Sequence, residues 1–220
     1  GTALQGVDYT NSAVSVVINA LSTTGVFTVT GIDDAIYELS ETVVVDITGV
    51  TNATESVTQQ QSLTLNDNDA APLVNFTVLS QSTSEDALTL TAIVSLSTTS
   101  GLSVSVPFSV NGLSTATGGG TDYTLSSSPV VIAAGQSTAQ VSITVVEDTL
   151  VESNETVILD LGVPTNATLG TTIQHTVTIL NDDNYPVVDF TLSLQSASES
   201  AGVMIAVLSL SSTYPQSVSI

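Results

Sequence analysis

The sequence contains no lysine, no arginine, no cysteine and no tryptophan, and it has one histidine and one methionine. Each absence excludes something. Without Lys or Arg there is no basic patch to hold phosphates, which excludes nucleic-acid binding on electrostatic grounds. Attraction to anionic lipid has no basis for the same reason. No carboxylate has a Lys or Arg to pair with. Without Cys neither a disulfide scaffold nor a thiolate site is available. Aromatic residues make up only 4%, which leaves no sugar-stacking platform. No run of about 18 apolar residues occurs, so direct membrane insertion by a helix is excluded. His175, without Cys or a basic partner, gives a nucleophile–base pair nothing to build on. It reads as an ordinary polar residue on a strand, and the chain reads as a non-enzyme. Paired carboxylates hydrolyse glycosides in some enzymes, but here they are too many and too clustered. The chain opens on Gly1 with its one Met at position 204, so it reads as a processed or excised segment of something longer.

What is present is acid and aliphatic surface. There are 21 Asp and Glu among 220 residues, a net charge of −21, and 42% hydrophobic residues, mostly Val, Leu, Ile and Ala. That much apolar surface excludes an acidic disordered tail. The acids must be neutralised by solvent ions, bound metal or protonation, and their distribution decides which.

The chain repeats itself. Gly6-Val7-Asp8-Tyr9-Thr10 returns as Gly120-Thr121-Asp122-Tyr123-Thr124, and Asp34, Glu38, Glu41 return as Asp148, Glu152, Glu155. Thr51-Asn52-Ala53-Thr54 returns as Thr165-Asn166-Ala167-Thr168, and Pro72, Val74, Phe76 return as Pro186, Val188, Phe190. Every pair is separated by 114 residues, as from Asp8 to Asp122. One offset over so many landmarks predicts tandem domains.

Within a unit the apolar residues alternate as strands do. Leu88, Leu90, Ala92, Val94 and Leu96 share one face, as do Val104, Val106, Phe108 and Val110, then Val141, Ile143 and Val145, then Val157, Leu159 and Leu161. Ser and Thr fill the opposite face, as a half-solvated antiparallel sheet requires. No helical period is found. Short strands in about 114 residues predict an all-β chain of antiparallel sandwiches. The expected units are residues 1–69 (the last two-thirds of a domain), 70–184 (a complete domain) and 185–220 (the first third of another). Ile220 is equivalent to Val106 and Gly1 to Thr115, so positions equivalent to 107–114 are not represented. Two expectations follow: a window of a longer array, or units completed between adjacent copies of the chain by strand donation.

The middle unit resembles a Calx-β domain. The likeness rests on Pro72 with Val74-x-Phe76, Ser84-Glu85, Leu96-Ser97, Gly120-Thr121-Asp122-Tyr123-Thr124, Val146-Glu147-Asp148 through Glu152 to Glu155-Thr156, and Val177-Thr178-Ile179-Leu180-Asn181-Asp182-Asp183. The resemblance implies tandem Ig-like sandwiches carrying Ca²⁺ at one tip. Carried over by position, the middle unit's ligands are Glu85, Asp122, Asp148, Glu152, Glu155, Asn181, Asp182 and Asp183, with the carbonyl of Leu150. The preceding unit offers Asp8, Asp34, Glu38, Glu41, Asp67 and Asp69, with the carbonyl of Ile36, and Glu199 serves the following one. Asn181 and Asn68 replace acids of the family's terminal triplet, and Ala35 and Thr149 stand where some relatives have another acid, so the ion count stays open.

The positions agree with physics taken alone. Those sites hold 14 of the 21 acids, whereas acids present only for solubility would occupy the exposed strand positions that are Ser and Thr here. Ca²⁺ takes about 6–8 oxygen ligands and suits flexible acidic loops. Mg²⁺ demands stricter octahedral geometry, and Zn²⁺ prefers His and Cys. Gly118-Gly119-Gly120 has no P-loop Lys and no following helix, so it reads as a hairpin loop. Tyr9 and Tyr123 read as packing residues. Sequons stand at Asn52, Asn75, Asn154 and Asn166, the first and last in repeated turn-like segments. The expected role is a structural calcium-binding stretch of an extracellular fibre, filament or adhesin at the cell surface. Short joints at Ala70-Ala71 and Asn184-Tyr185 would be stiffened by the ions, with neighbouring repeats as partners. The alternative expectation is a calcium-sensing regulatory module of a membrane-associated protein.

Overall fold

The computed structural model describes residues 1–57 and 59–220. Among them there is no α-helix, only a 3-10 turn at Glu199–Ala201. In the first unit β1 (Tyr9–Asn11) pairs antiparallel with β2 (Val29–Gly31), and β3 (Glu41–Asp46) with β4 (Gln60–Leu65). Eleven strands follow: β5 (Leu73–Phe76), β6 (Ser80–Ser84), β7 (Leu90–Leu96), β8 (Val104–Val106), β9 (Phe108–Val110), β10 (Tyr123–Leu125), β11 (Val130–Ile132), β12 (Thr138–Val145), β13 (Glu155–Leu161), β14 (Thr168–Leu169) and β15 (Gln174–Leu180). Beyond them β16 (Val188–Phe190) pairs with β17 (Leu208–Leu210).

The middle strands form a five-stranded sheet in the order β10-β12-β7-β5-β14, a four-stranded sheet in the order β6-β15-β13-β9, and a short β8–β11 ribbon. Alternation is the cause. In β13 and β15 every second side chain (Val157, Leu159, Leu161; His175, Val177, Ile179) is buried, while the Thr residues between them stay half-exposed. The two inner faces interdigitate into one core drawn wholly from residues 74–179. Each fully buried Val, Ile or Leu contributes ~1.5–3 kcal/mol relative to exposure. Outside that stretch Val43 is the single buried apolar side chain among the described residues.

Three expectations about individual residues change. Leu88 is not on the β7 face: it lies in the turn before the strand and is 82% exposed. Val104–Val110 is not one strand. Pro107 has no N–H for a ladder, and there the chain leaves β11 and joins β13 in the other sheet. His175 is fully buried, against the ring of Phe76 with 5.3 Å between centroids. A carbonyl only accepts, so Nδ1 carries the proton donated to Val78 O (2.9 Å), leaving Nε2 to accept from the Gln81 amide (3.0 Å). This explains why a lone histidine is tolerated in an aliphatic core: both ring nitrogens are satisfied.

Candidate metal centre

Strand register brings the acids to one end of the middle sandwich. β6 and β15 run parallel with Ser84 beside Leu180, so Glu85 and the Asn181-Asp182-Asp183 stretch leave the sheet together. The N–H of Glu85 donates to Leu180 O at 3.3 Å and holds them in step. β13 is antiparallel to β15, with Glu155 opposite Ile179, so its first residue starts at that same end. Tyr123 pairs with Val145, which places Asp122 and the loop after β12 there too. The glycine run serves this placement. Gly119 and Gly120 have φ of +82° and +95°, left-handed conformations that favour glycine. Gly118 packs against the buried Tyr123 ring. The turn they make lets the Thr117 N–H donate to the Asp122 carboxylate and the Asp122 N–H to Thr117 O at 3.0 Å.

Two groups of carboxylates result. Glu85, Asp182 and Asp183 bring one oxygen each within 4.8 Å of one another, and so do Asp122, Glu152 and Glu155. Asn181 links the groups: its side-chain oxygen accepts from the Glu152 N–H at 2.9 Å and its amide donates to Asp183 O at 3.2 Å. That oxygen is therefore already engaged as a bracket between the two groups. Asp148 caps the loop by accepting the Leu150 N–H at 2.7 Å, as Asp34 accepts that of Ile36 at 2.8 Å. What the structure gives Leu150 and Ile36 is a bonded N–H to the preceding aspartate.

The electrostatics are those of a cluster of like charges. Burial, then the charges of Asp182, Asp183, Asp148 and Glu152, push the Glu85 carboxyl up to about 7. Burial, then a hydrogen bond and charge from Asp122, with Glu152 and Glu85 behind, push Glu155 up to about 7 as well. Burial, then the charges of Asp122, Asp148 and Asp183, raise Glu152. Like charges in a partly desolvated site have no other route to relief without a cation.

The first unit gathers its equivalent acids at one pocket, although no three of them reach the close spacing of the middle unit's two groups. Asp8, Asp34, Glu38, Glu41, Asp67 and Asp69 line one open pocket. Burial, then Asp34, Asp8, Asp67 and Asp69, raise Glu38. Glu41 is raised by burial and by a hydrogen bond with Asp8. Glu199 stands apart: it is exposed in the 3-10 turn and belongs to no group of three acids among the described residues. Two acids of the tips were passed over in the sequence. Asp33 lines the first pocket, and burial followed by Asp182, Asp183, Asp86 and Asp148 raises Glu147. The signal was there, since 33 and 147 are themselves one repeat apart.

These donors fit calcium. Every side-chain ligand offered is a hard oxygen, and no Lys or Arg neutralises any of them. Oδ2 of Asp183 is buried with no hydrogen-bond partner, a costly state for a carboxylate oxygen unless a cation meets it. Glu85, Asp182 and Asp183 would hold one ion and Asp122, Glu152 and Glu155 another. A bound ion would supply the positive charge the tip lacks.

Tandem β-sandwiches with an acidic oxygen-donor tip define a class of calcium-binding module. The family model of the Calx-beta domain matches residues 1–69 and again 67–184, and the chain belongs to that family. Among solved structures, the chain is similar to the apo form of the Calx CBD1 domain at 22% identity, over 52% of this chain and 100% of that one, with a TM-score of 0.47. It is similar to CBD12 from CALX1.2 at 23% identity, over 59% of this chain and 52% of that one, with a TM-score of 0.47. It is also similar to the Calx CBD2 domain at 15% identity, over 50% of this chain and 86% of that one, with a TM-score of 0.45. The chain thus spans about half the length of the CBD12 structure. No curated protein matches it.

Proposed function

We propose that this chain is a structural calcium-binding segment of an extracellular fibre or adhesin, in which Ca²⁺ at each tip stiffens the joint to the next sandwich. The observation that carries this reading is the contact between the first unit's acidic loop and the middle sandwich. Tyr37 O accepts from the Gly101 N–H at 3.0 Å and from the Ser100 hydroxyl at 3.1 Å, and Ser100 is fully buried. The neighbouring Glu38, part of the first pocket, lies so close to Gly101 that an added Cβ would clash with its carboxylate. The acids that would bind an ion and the backbone that forms the joint are therefore one loop. Ordering that loop around a metal orders the joint, and binding to the folded state alone stabilises it by mass action.

An external setting is supported by the complete absence of Lys and Arg, a surface suited to solubility in salt-rich surroundings. No helix is long and apolar enough to cross a membrane among the described residues. Small-angle scattering of the chain in calcium and in EDTA tests the reading. Calcium should give the longer, stiffer particle, and identical profiles and melting curves in the two buffers would sink it. Titration separates this role from calcium sensing: extracellular modules respond near 10⁻⁴–10⁻³ M, sensors at micromolar levels or below.

The joint makes its own prediction. Gly101→Ala should push the Glu38 carboxylate aside while leaving the middle core intact. The expected result is calcium affinity at the first tip lowered by about tenfold, the low end of what disturbing a ligand's supporting contacts costs, together with a more flexible joint. Calorimetry with scattering on the variant checks both, and wild-type values in each would count against the coupling.

A further inference from the structure

We propose that the two joints of this chain are mechanically different: the first is a latch, and the second is a hinge at Asn184 about which the last unit swings. The inference concerns the metal-free chain and does not rest on calcium binding.

The latch is built from the backbone. Two hydrogen bonds cross the first joint, from the Gly101 N–H and the Ser100 hydroxyl to Tyr37 O. Ser100 is itself anchored. Its hydroxyl oxygen accepts from the Leu102 N–H at 3.0 Å, and its carbonyl accepts from the Gly135 N–H at 2.8 Å. The loop that receives Tyr37 is therefore part of the rigid sandwich, and the first unit cannot swing without breaking both bonds.

One repeat further on, the donors are gone. Ala71, Ser100 and Gly101 become Tyr185, Tyr214 and Pro215, each 114 residues later. Pro215 has no N–H to donate. A tyrosine cannot take the buried place of a serine without displacing close-packed neighbours. Both statements follow from residue identity alone. The acceptor side is retained: Asp148 accepts the Leu150 N–H as Asp34 accepts that of Ile36, so Val151 follows the same turn that Tyr37 does. Among the described residues no hydrogen bond joins residues up to 184 to those beyond.

The acids follow the same exchange. Gly101 leaves room for the Glu38 carboxylate to lie against the first joint, and Pro215 carries a Cβ where Gly101 has none. The equivalent Glu152 stands with Asp122 and Glu155 instead, whereas Glu38 belongs to no such close group. The first tip reaches across its joint, and the second is gathered into its own unit.

Neighbouring contacts confine the swing. The rings of Tyr185 and Tyr214 meet edge to face, with 5.9 Å between centroids and 65° between planes. The Val187 N–H donates to the Ser211 hydroxyl at 2.9 Å. The chain is thus tied to the last unit from Tyr185 onwards. On the other side the Asn181 amide holds Asp183 O, which ties the chain to the middle unit up to Asp183. Asn184 alone is left between them, and one or two such residues suffice to absorb a hinge rotation.

Distance distributions between spin labels test this in a chain that has no cysteine of its own. Ser62→Cys with Gln140→Cys spans the first joint, and Gln140→Cys with Ser209→Cys spans the second, all at exposed positions. In EDTA the second distribution should be at least about twofold wider, since domains that share little surface move by default. Gly101→Pro deletes a latch donor and should widen the first distribution towards the second, with the melting of the middle sandwich unchanged. The wild-type comparison stands whether or not that variant folds. Labels at Asp189→Cys and Ser209→Cys, which face each other across β16 and β17, should show strong dipolar broadening. Equal widths across the two joints in EDTA would overturn the proposal. So would loss of the β16–β17 broadening, because the last unit would then be loosening and not swinging. Failure of the calcium reading looks different: both widths would stay unchanged on adding calcium, with their inequality in EDTA intact.

Discussion

Replacing Glu85 or Glu155 with glutamine is expected to raise the melting temperature in EDTA and lower it in saturating calcium. The two signs come from one cause. Without metal each glutamate is pushed up to about 7 by burial and by its acidic neighbours, so at pH 8 the folded state carries charges that the unfolded chain holds more comfortably. An uncharged amide of the same size removes that repulsion. A shift of one pKa unit corresponds to about 1.4 kcal/mol, so a gain of about 1–3 kcal/mol for each substitution at pH 8 is expected. With calcium present the same substitution removes a charged ligand oxygen. A loss of affinity of ~tenfold or more then costs at least about 1.4 kcal/mol of the stabilisation that binding supplied. At ~4–8 °C per kcal/mol for a domain of this size, paired melting curves resolve both. Substitutions that destabilise equally in EDTA and in calcium would point to ordinary packing roles.

The pH profile should invert in the same way. Glu85 and Glu155 have folded-state values near 7 against an ordinary 4.5, so the folded protein holds more protons than the unfolded chain between those limits. Stability from these groups is therefore full below about pH 4.5 and falls as pH rises towards 7. Metal-free protein should melt lower at pH 8 than at pH 5. In excess calcium the trend reverses over the same window, because protons and the ion compete for the same oxygens. Parallel profiles with and without calcium would mean that these carboxylates do not meet the metal.

Most of the architecture was legible because it depends on periodicities that survive in one dimension. The alternation of Val177 and Ile179 with Thr176 and Thr178 fixes which face is buried whatever the neighbours do. The offset from Asp8 to Asp122 shows that the arrangement is built twice. The tip acids were legible because they lie just beyond strand ends, where antiparallel and parallel registers converge. What escaped depends on three-dimensional partners. Leu88 continues the alternation but precedes the strand, and a turn ignores period two. His175 reads as polar until Val78 and Gln81 are seen to satisfy both of its nitrogens. Asn181 reads as a weakened ligand, yet its oxygen is engaged by the Glu152 N–H. The joint between Tyr37 and Ser100 joins residues far apart in sequence through backbone groups that carry no side-chain signature.

Titration calorimetry of the full chain with calcium, run beside magnesium, addresses the central claim most directly. Saturable calcium binding is expected, with protons released near pH 6.5 as Glu85 and Glu155 give theirs up, and with magnesium binding much more weakly. Absence of saturable calcium binding, or binding without any proton release at that pH, would contradict the assignment of the acidic tips as metal sites.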